Sequence, residues 1–396
     1  MSWLLTNVRV PNVSEPMDAH LSESGFQLAP QGTSSLTKVA NTWDVGGRLL
    51  VSSFAELHTH LDKTYSPVTN KQGGLLGAIE AYHGAPLRSD AALYAAAEKA
   101  LKQALRHGTT RLRTHVNMSS AEDLQRFSVL LELRDRYRKV MDIQFVAMGR
   151  LDATGSTFIR QAVGLGADFV GGAPALEPDP ASAIKTALKL GQELQVGLDL
   201  HIDECEETHP CTLEMLAEAV LSSGFTYPVV AGHCASLAYM TVAHLQEVLA
   251  KVADAGLHIV GLPMCNMVLL GGGTSPLVRA TAPVAAIQSA GVNVCIGADN
   301  VQDPFNPYGG YAPLQNLQLS NILHQVTRQQ DIEASLELIT SNARLAFTSD
   351  PNVISDWVLL DSDNLVDAIC SATRCLATFR GAERVYFRED VEHWTI

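Results

Sequence analysis

The strongest constraint on this chain is a repeated alternation of short, β-branched apolar runs with longer stretches of helical spacing. The first run, Leu49-Leu50-Val51-Ser52-Ser53-Phe54, leads into Glu56-Leu57-His58-Thr59-His60. Further runs follow at 110–115, 142–147, 168–172, 197–201, 228–233, 258–263 and 293–299. Short apolar runs of this kind suit strands covered on both faces. Between them, residues 91–105, 121–138, 181–194, 212–221 and 243–253 are rich in helix-forming residues, with apolar positions three and four apart. Glycine often falls where such a stretch ends, at Gly108, Gly166, Gly256 and Gly291, and glycine accepts the left-handed backbone of a helix cap. Eight strand–helix repeats over about 290 residues predict a parallel (β/α)₈ TIM barrel in preference to an open doubly wound sheet. No G-x-G-x-x-G follows the first run, which argues against a dinucleotide-binding fold.

The ends of the chain read differently. A strand-like run at 3–10 precedes residues 11–40, whose Ser, Pro and Asn content predicts loop or turn. The tail returns to strand-like runs at 357–360 and 378–387. Termini usually lie close together. The expectation is therefore a small β-sandwich domain from residues 1–48 and 346–396, beside a barrel of residues 49–345. The length of 396 residues and the 46% hydrophobic content allow a core of that size.

A net charge of −14 is unsuited to a phosphate backbone, so no nucleic-acid partner is expected. No run of about 18 apolar residues is present, so no membrane span is expected. Seven cysteines without a C-x-x-C pair, and a start lacking a basic region followed by an apolar stretch, predict a cytoplasmic protein with reduced thiols.

Chemistry-bearing residues gather at the C-terminal ends of the candidate strands. Alternate strand residues face one side, so His58 and His60 can aim both imidazoles at one point. His201 closes the fifth run, His233 the sixth and Asp299 the eighth. In a parallel barrel these ends share one mouth, where active sites gather. Three imidazoles and a carboxylate make a site suited to Zn²⁺ or Fe²⁺, with room for water.

The motif Glu56-Leu57-His58-Thr59-His60-Leu61-Asp62-Lys63 resembles the first-strand signature of the amidohydrolase superfamily, and more narrowly its cytosine deaminase-like group. His201-Ile202-Asp203-Glu204, Ala231-Gly232-His233 and Gly297-Ala298-Asp299-Asn300 match the group's later motifs in order. The resemblance runs from about residue 45 to 345, and the terminal β pieces fit the sandwich usual in that group. It implies that His58, His60, His201 and Asp299 hold the metal, that Glu204 shuttles protons, and that His233 orients the attacking hydroxide. No lysine near 171–174 offers a carbamate bridge, so one metal is expected. The implied reaction is hydrolytic deamination of an amino-substituted, pyrimidine-like heterocycle such as cytosine or a modified cytosine, with release of ammonia.

Several residues depart from the group's pattern. Asn300 stands where a second aspartate is usual, and Arg150 is the nearest polar residue where a glutamine usually reads the pyrimidine edge. The loop after the seventh strand also lacks a Gln-Gly-Arg ending. Arg150, Asn300 and Phe305 are the candidate substrate contacts; Lys63 and His115 are left undecided between the mouth and a structural role. One alternative is release of an alkylamine from an N-substituted triazine such as isopropylammelide. Another is a non-catalytic binding barrel, which the intact set of six chemical residues disfavours. The expected partner is a small heterocyclic substrate, in a homo-oligomer.

Overall fold

The computed structural model describes residues 2–22, 25–33, 39, 41–273, 275–348 and 355–389. Eight parallel strands lie side by side in sequence order: Phe54–Thr59, Thr109–Asn117, Asp142–Met148, Phe169–Gly171, Gly197–Ile202, Val229–His233, His258–Gly261 and Asn293–Ile296. The ring closes between the eighth strand and the first. There the Asp299 N–H donates to the His58 carbonyl at 2.7 Å, and Thr59 and Asp299 form a parallel bridge. The buried Glu56 carboxylate reinforces the seam, accepting the Ala298 N–H at 3.0 and 3.1 Å and the His58 N–H at 3.2 Å.

Helices cover the outside of the barrel because they carry a buried stripe at helical spacing. The helix Asp90–Arg106 begins where the Ser89 side chain accepts the Ala92 N–H, and it buries Leu93, Ala97, Ala100, Leu101 and Ala104. The other expected helices are present as Ala121–Tyr137, Pro180–Leu194, Thr212–Ser223 and Val242–Asp254. Gly166 caps the helix Ala153–Leu165 with φ of 118°, as its position in the sequence suggested. An inserted helix, Gly74–Gly84, follows the first barrel strand and lies beside the mouth. Among the described residues, no helix is long and apolar enough to cross a membrane.

The floor of the barrel holds a buried ion pair. The Arg113 guanidinium donates to Asp199 Oδ2 at 2.9 Å, to Gln144 Oε1 and to the Ala346 carbonyl, and lies over the Phe169 ring. Both members are fully buried, so the pair is tolerable only because these further hydrogen bonds replace water.

Two four-stranded sheets stand beside the barrel. One is built from Ser2–Val8, Met17–Ser22, Gly25–Pro30 and Asn41–Asp44; the other from Leu49–Ser52, Asp356–Leu360, Cys375–Arg380 and Glu383–Phe387. They share an apolar core of Leu5, Val8, Leu21, Leu50, Leu359 and Phe379. Phe26 stacks on Trp357, and Trp43 meets Phe387 edge-on. We propose that they form one small sandwich domain, as expected for residues 1–48 and 346–396.

Two expectations change. Leu49–Ser52 does not open the first barrel strand; it pairs antiparallel with Asp356–Leu360 in the second sheet of the sandwich. The apolar run is continuous in sequence, but Ser53 separates two strands that belong to different sheets. Residues 11–40 are not only loop: Met17–Ser22 and Gly25–Pro30 form a hairpin on the first strand. The first of these strands buries Ala19 and Leu21 on alternate positions, a pattern hidden by the polar residues between them. The part of the predicted loop at 34–38 and 40 lies outside the described residues.

Gly108 holds the junction between barrel and sandwich. Its φ is 88°, and a Cβ there would meet Val358 Cγ2 at 2.7 Å and Phe54 Cδ2 at 3.0 Å. Gly108→Val is expected to cost about 2–4 kcal/mol through backbone strain and overpacking. Gly164→Ala, in a helix where a Cβ meets nothing, should instead raise stability by about 0.5–1 kcal/mol. Urea unfolding of both variants checks the contrast, and equal stabilities would remove the argument for a tight seam.

Candidate active site

The mouth is assembled from strand ends. His58 and His60 lie at the end of the first strand, His201 in the fifth, His233 at the end of the sixth, and Asp299 just beyond the eighth. His233 and Asp299 have left-handed backbone, with φ of 69° and 60°, at the points where their strands end. Such conformations cost energy in non-glycine residues and tend to collect at functional sites.

The ligand atoms of His58, His60, His201 and Asp299 all fall within 4.8 Å of one another, and all four residues are buried. His201 Nε2 is 3.3 Å from Nε2 of both His58 and His60. Asp299 Oδ1 is 3.1 Å from His60 Nε2 and 3.6 Å from His58 Nε2. Four ligands held tetrahedrally about 2.0–2.2 Å from a cation stand about 3.3–3.6 Å apart. The spacing therefore fits one metal ion.

Electrostatics support the same fit. Neither carboxylate oxygen of the buried Asp299 has a hydrogen-bond partner, which is costly for an anion unless a cation is present. Burial, followed by the neighbouring imidazoles, holds His58 and His201 well below the usual histidine range. Burial and then Lys63 do the same for His60. Neutral imidazoles are the form that binds metals.

Glu204 and His233 flank this cluster. Glu204 Oε1 is 3.5 Å from His233 Nδ1, and His233 Nε2 is 4.0 Å from Asp299 Oδ2. Burial, then the charge of Asp299, pushes the Glu204 carboxyl well above the usual carboxylate range. Burial lowers His233 to about 4, against the opposing pull of Asp299. Asp203 anchors the backbone between His201 and Glu204, accepting the N–H groups of Thr212 and Leu213 at 2.9 and 3.0 Å.

The three expected substrate contacts lie differently. Arg150 is not brought to the cluster: its side chain is 66% exposed and pairs with Asp152 at 2.8 Å and Glu177 at 3.8 Å. Asn300 is buried beside Asp299, but its amide donates to Asp303 Oδ2 at 2.6 Å within the following turn. Phe305 is half-buried near Lys63 and Tyr82, with Lys63 Nζ 5.9 Å from its ring centroid.

Other residues reach the site without having been assigned a role from sequence. Lys63 Nζ lies 3.0 Å from His60 Nδ1 and donates to Asn117 Oδ1 at 3.1 Å. Asn266 Nδ2 lies 3.0 Å from His233 Nδ1. The His115 ring lies 4.0 Å from that of His58, with Nε2 3.4 Å from Asp199 Oδ1, tying the metal cluster to the barrel floor. The Cys265 thiol is within 4.8 Å of the Glu204 and Asp299 carboxylates. Gly232 makes space for His58, because a Cβ would meet Cε1 of its ring at 2.7 Å and Nδ1 at 2.8 Å. The Ala231-Gly232-His233 motif was the available signal for this close approach.

Fold and site together define a (β/α)₈ barrel with a metal-competent His₃Asp cluster at its C-terminal mouth. The chain belongs to the amidohydrolase family, whose model matches residues 67–351. A pterin deaminase from Rhizobium rhizogenes is 34% identical over 291 residues, covering 69% of this chain and only 64% of that protein's length. N-isopropylammelide isopropyl amidohydrolase from Pseudomonas sp. is 24% identical over 376 residues, 88% of each chain. The crystal structure of 5-methylcytosine deaminase from Klebsiella pneumoniae with phosphonocytosine superposes with a TM-score of 0.90 over the whole of both chains, at 24% identity.

Metal-loaded protein should contain one divalent ion per chain by elemental analysis, and His201→Ala should lose it. Gly232→Ala, which touches no metal, should weaken affinity about 10- to 100-fold by displacing the His58 ring. Unchanged affinity in both variants would refute the cluster as a metal site.

Proposed function

We propose that this chain is a metal-dependent hydrolase that removes an exocyclic amino group from an amino-substituted, pyrimidine-like heterocycle. The observation that carries this reading is Glu204 standing beside His233 and Asp299 at the rim of the His₃Asp cluster. His58, His60, His201 and Asp299 would hold Zn²⁺ or Fe²⁺. Such an ion supplies Lewis acidity that makes water nucleophilic near neutral pH.

The protein's own groups account for the proton movements. With its carboxyl raised by burial, Glu204 can take a proton from water and give it to a ring nitrogen, which makes the adjacent carbon more electrophilic. Water oxygen bonds to that carbon, the carbon–nitrogen bond breaks, and a second proton leaves with the amine as ammonia. His233, held neutral by burial and positioned by Asn266, is placed to orient oxygen at the reacting carbon. The deaminases among the relatives support ammonia as the leaving group.

A second reading has its own support. The isopropylammelide relative matches 88% of each chain, so the leaving group could instead be an alkylamine from an N-substituted triazine. Assay of ammonia and of isopropylamine from the two substrate classes separates the readings.

Glu204→Gln is expected to reduce kcat about 10²- to 10⁴-fold while metal content stays at one ion per chain. Steady-state kinetics with elemental analysis make the check. A variant that keeps most of its turnover would refute the proton-shuttle role.

A further inference from the structure

The two ring nitrogens of His233 face different surroundings and can do different chemistry. The residue is 1% exposed and burial keeps it neutral, so one nitrogen bears a hydrogen and the other a lone pair. The hydrogen bond made at one nitrogen decides what the other can do.

Asn266 faces Nδ1. It lies in the helix Pro263–Leu269, which follows the seventh barrel strand. Its N–H donates to the Leu262 carbonyl at 3.0 Å, and its carbonyl accepts the Leu270 N–H at 2.8 Å, so its backbone is fixed. The side chain is fully buried, with the amide nitrogen 3.0 Å from His233 Nδ1. An amide N–H can only donate, so Nδ1 accepts and the ring proton is left to Nε2. The other end of the ring agrees. Among the described residues Nε2 has no hydrogen-bond partner, and it lies 4.0 Å from Asp299 Oδ2. A carboxylate there favours an N–H over a lone pair. Turning the Asn266 amide round would bring its oxygen to Nδ1, move the proton there and set the Nε2 lone pair against Asp299.

Glu204 makes this hydrogen bond matter. Its Oε1 is 3.5 Å from the same Nδ1, too far for a good hydrogen bond. Once ionised, and with no donor already at Nδ1, it would draw the ring proton to that side and be occupied by His233 instead of water. Asn266 also keeps its Oδ1 buried without a partner among the described residues, which costs stability. A leucine of similar outline would avoid that cost, so packing alone does not account for an amide here.

We infer that Asn266 is a positioning residue that locks His233 as the Nε2–H tautomer, which makes His233 a hydrogen-bond donor toward the reacting oxygen and leaves Glu204 as the base of the pair. The inference deepens the hydrolase reading and rests on it for the reaction. The tautomer itself belongs to the protein alone.

Nitrogen NMR of the full chain, loaded with Zn²⁺ and carrying isotope-labelled histidine, reads the ring proton directly, and comparison with His233→Gln assigns the signals. The wild type should show His233 protonated at Nε2 and unprotonated at Nδ1. Asn266→Asp, of the same shape, puts an acceptor in place of the donor and should reverse that pattern. It should lower kcat about 10²- to 10³-fold, as for loss of one donor to a developing oxyanion, with KM changed less than about twofold and one metal ion per chain. Asn266→Leu removes the donor without adding charge and should fall between the two. Kinetics use whichever of cytosine and isopropylammelide the wild type turns over, and melting temperatures report whether each variant is folded. A merely structural asparagine would change the melting temperature and leave the ring proton where it is.

A wild-type His233 protonated at Nδ1 would overturn the assignment, whatever the variants do. So would undiminished kcat in either variant when folded and metal-loaded. The expected tautomer and its reversal in Asn266→Asp, with no amine released from either compound by the wild type, would uphold the lock and count against the hydrolase reading.

Discussion

The constraint on which this structure depends is the burial of the Asp299 carboxylate with neither oxygen hydrogen-bonded and only imidazoles beside it. A protein interior does not keep a bare carboxylate at low cost. Three imidazoles converge on it, and burial, with the neighbouring imidazoles for His58 and His201 and with Lys63 for His60, holds them well below the usual histidine range, which disfavours their carrying the compensating charge. The arrangement makes physical sense as a site that would hold a cation. Ligand-atom separations of 3.1–3.6 Å point the same way, being the edges of a polyhedron that one ion can fill.

The site and the closure of the barrel are one feature. Asp299 closes the ring through its backbone N–H to the His58 carbonyl and offers its side chain to the mouth. Glu56 braces the same seam, bonding backbone groups on both sides of it. Beneath, His115 and the Arg113–Asp199 pair connect His58 to the floor. Rigid strand ends hold the ligands, whereas the loops above carry Glu204 and Lys63. That division would let one barrel keep its proposed chemistry while its loops vary.

The strand–helix alternation was legible because each repeat carries its own local pattern of apolar spacing, glycine caps and β-branched runs. The gathering of His58, His60, His201, His233 and Asp299 followed from their places at strand ends, since a parallel barrel brings those ends together. Arg150 shows where such reasoning stops. Its place after the third strand put it near the mouth, but Asp152 and Glu177 hold its side chain in solvent. The continuous apolar run at 49–54 likewise concealed a change of sheet at Ser53.

The sequence by itself determined the barrel and the identity of the residues that could meet in its mouth, because both follow from short-range periodicity and from which end of each strand carries the histidines. Only the tertiary structure decided how those side chains are spaced, that Gly232 clears room for His58, and that Lys63 stands beside His60. Those features depend on contacts between residues distant in the chain. No local pattern encodes the distance between two atoms on different strands; packing does.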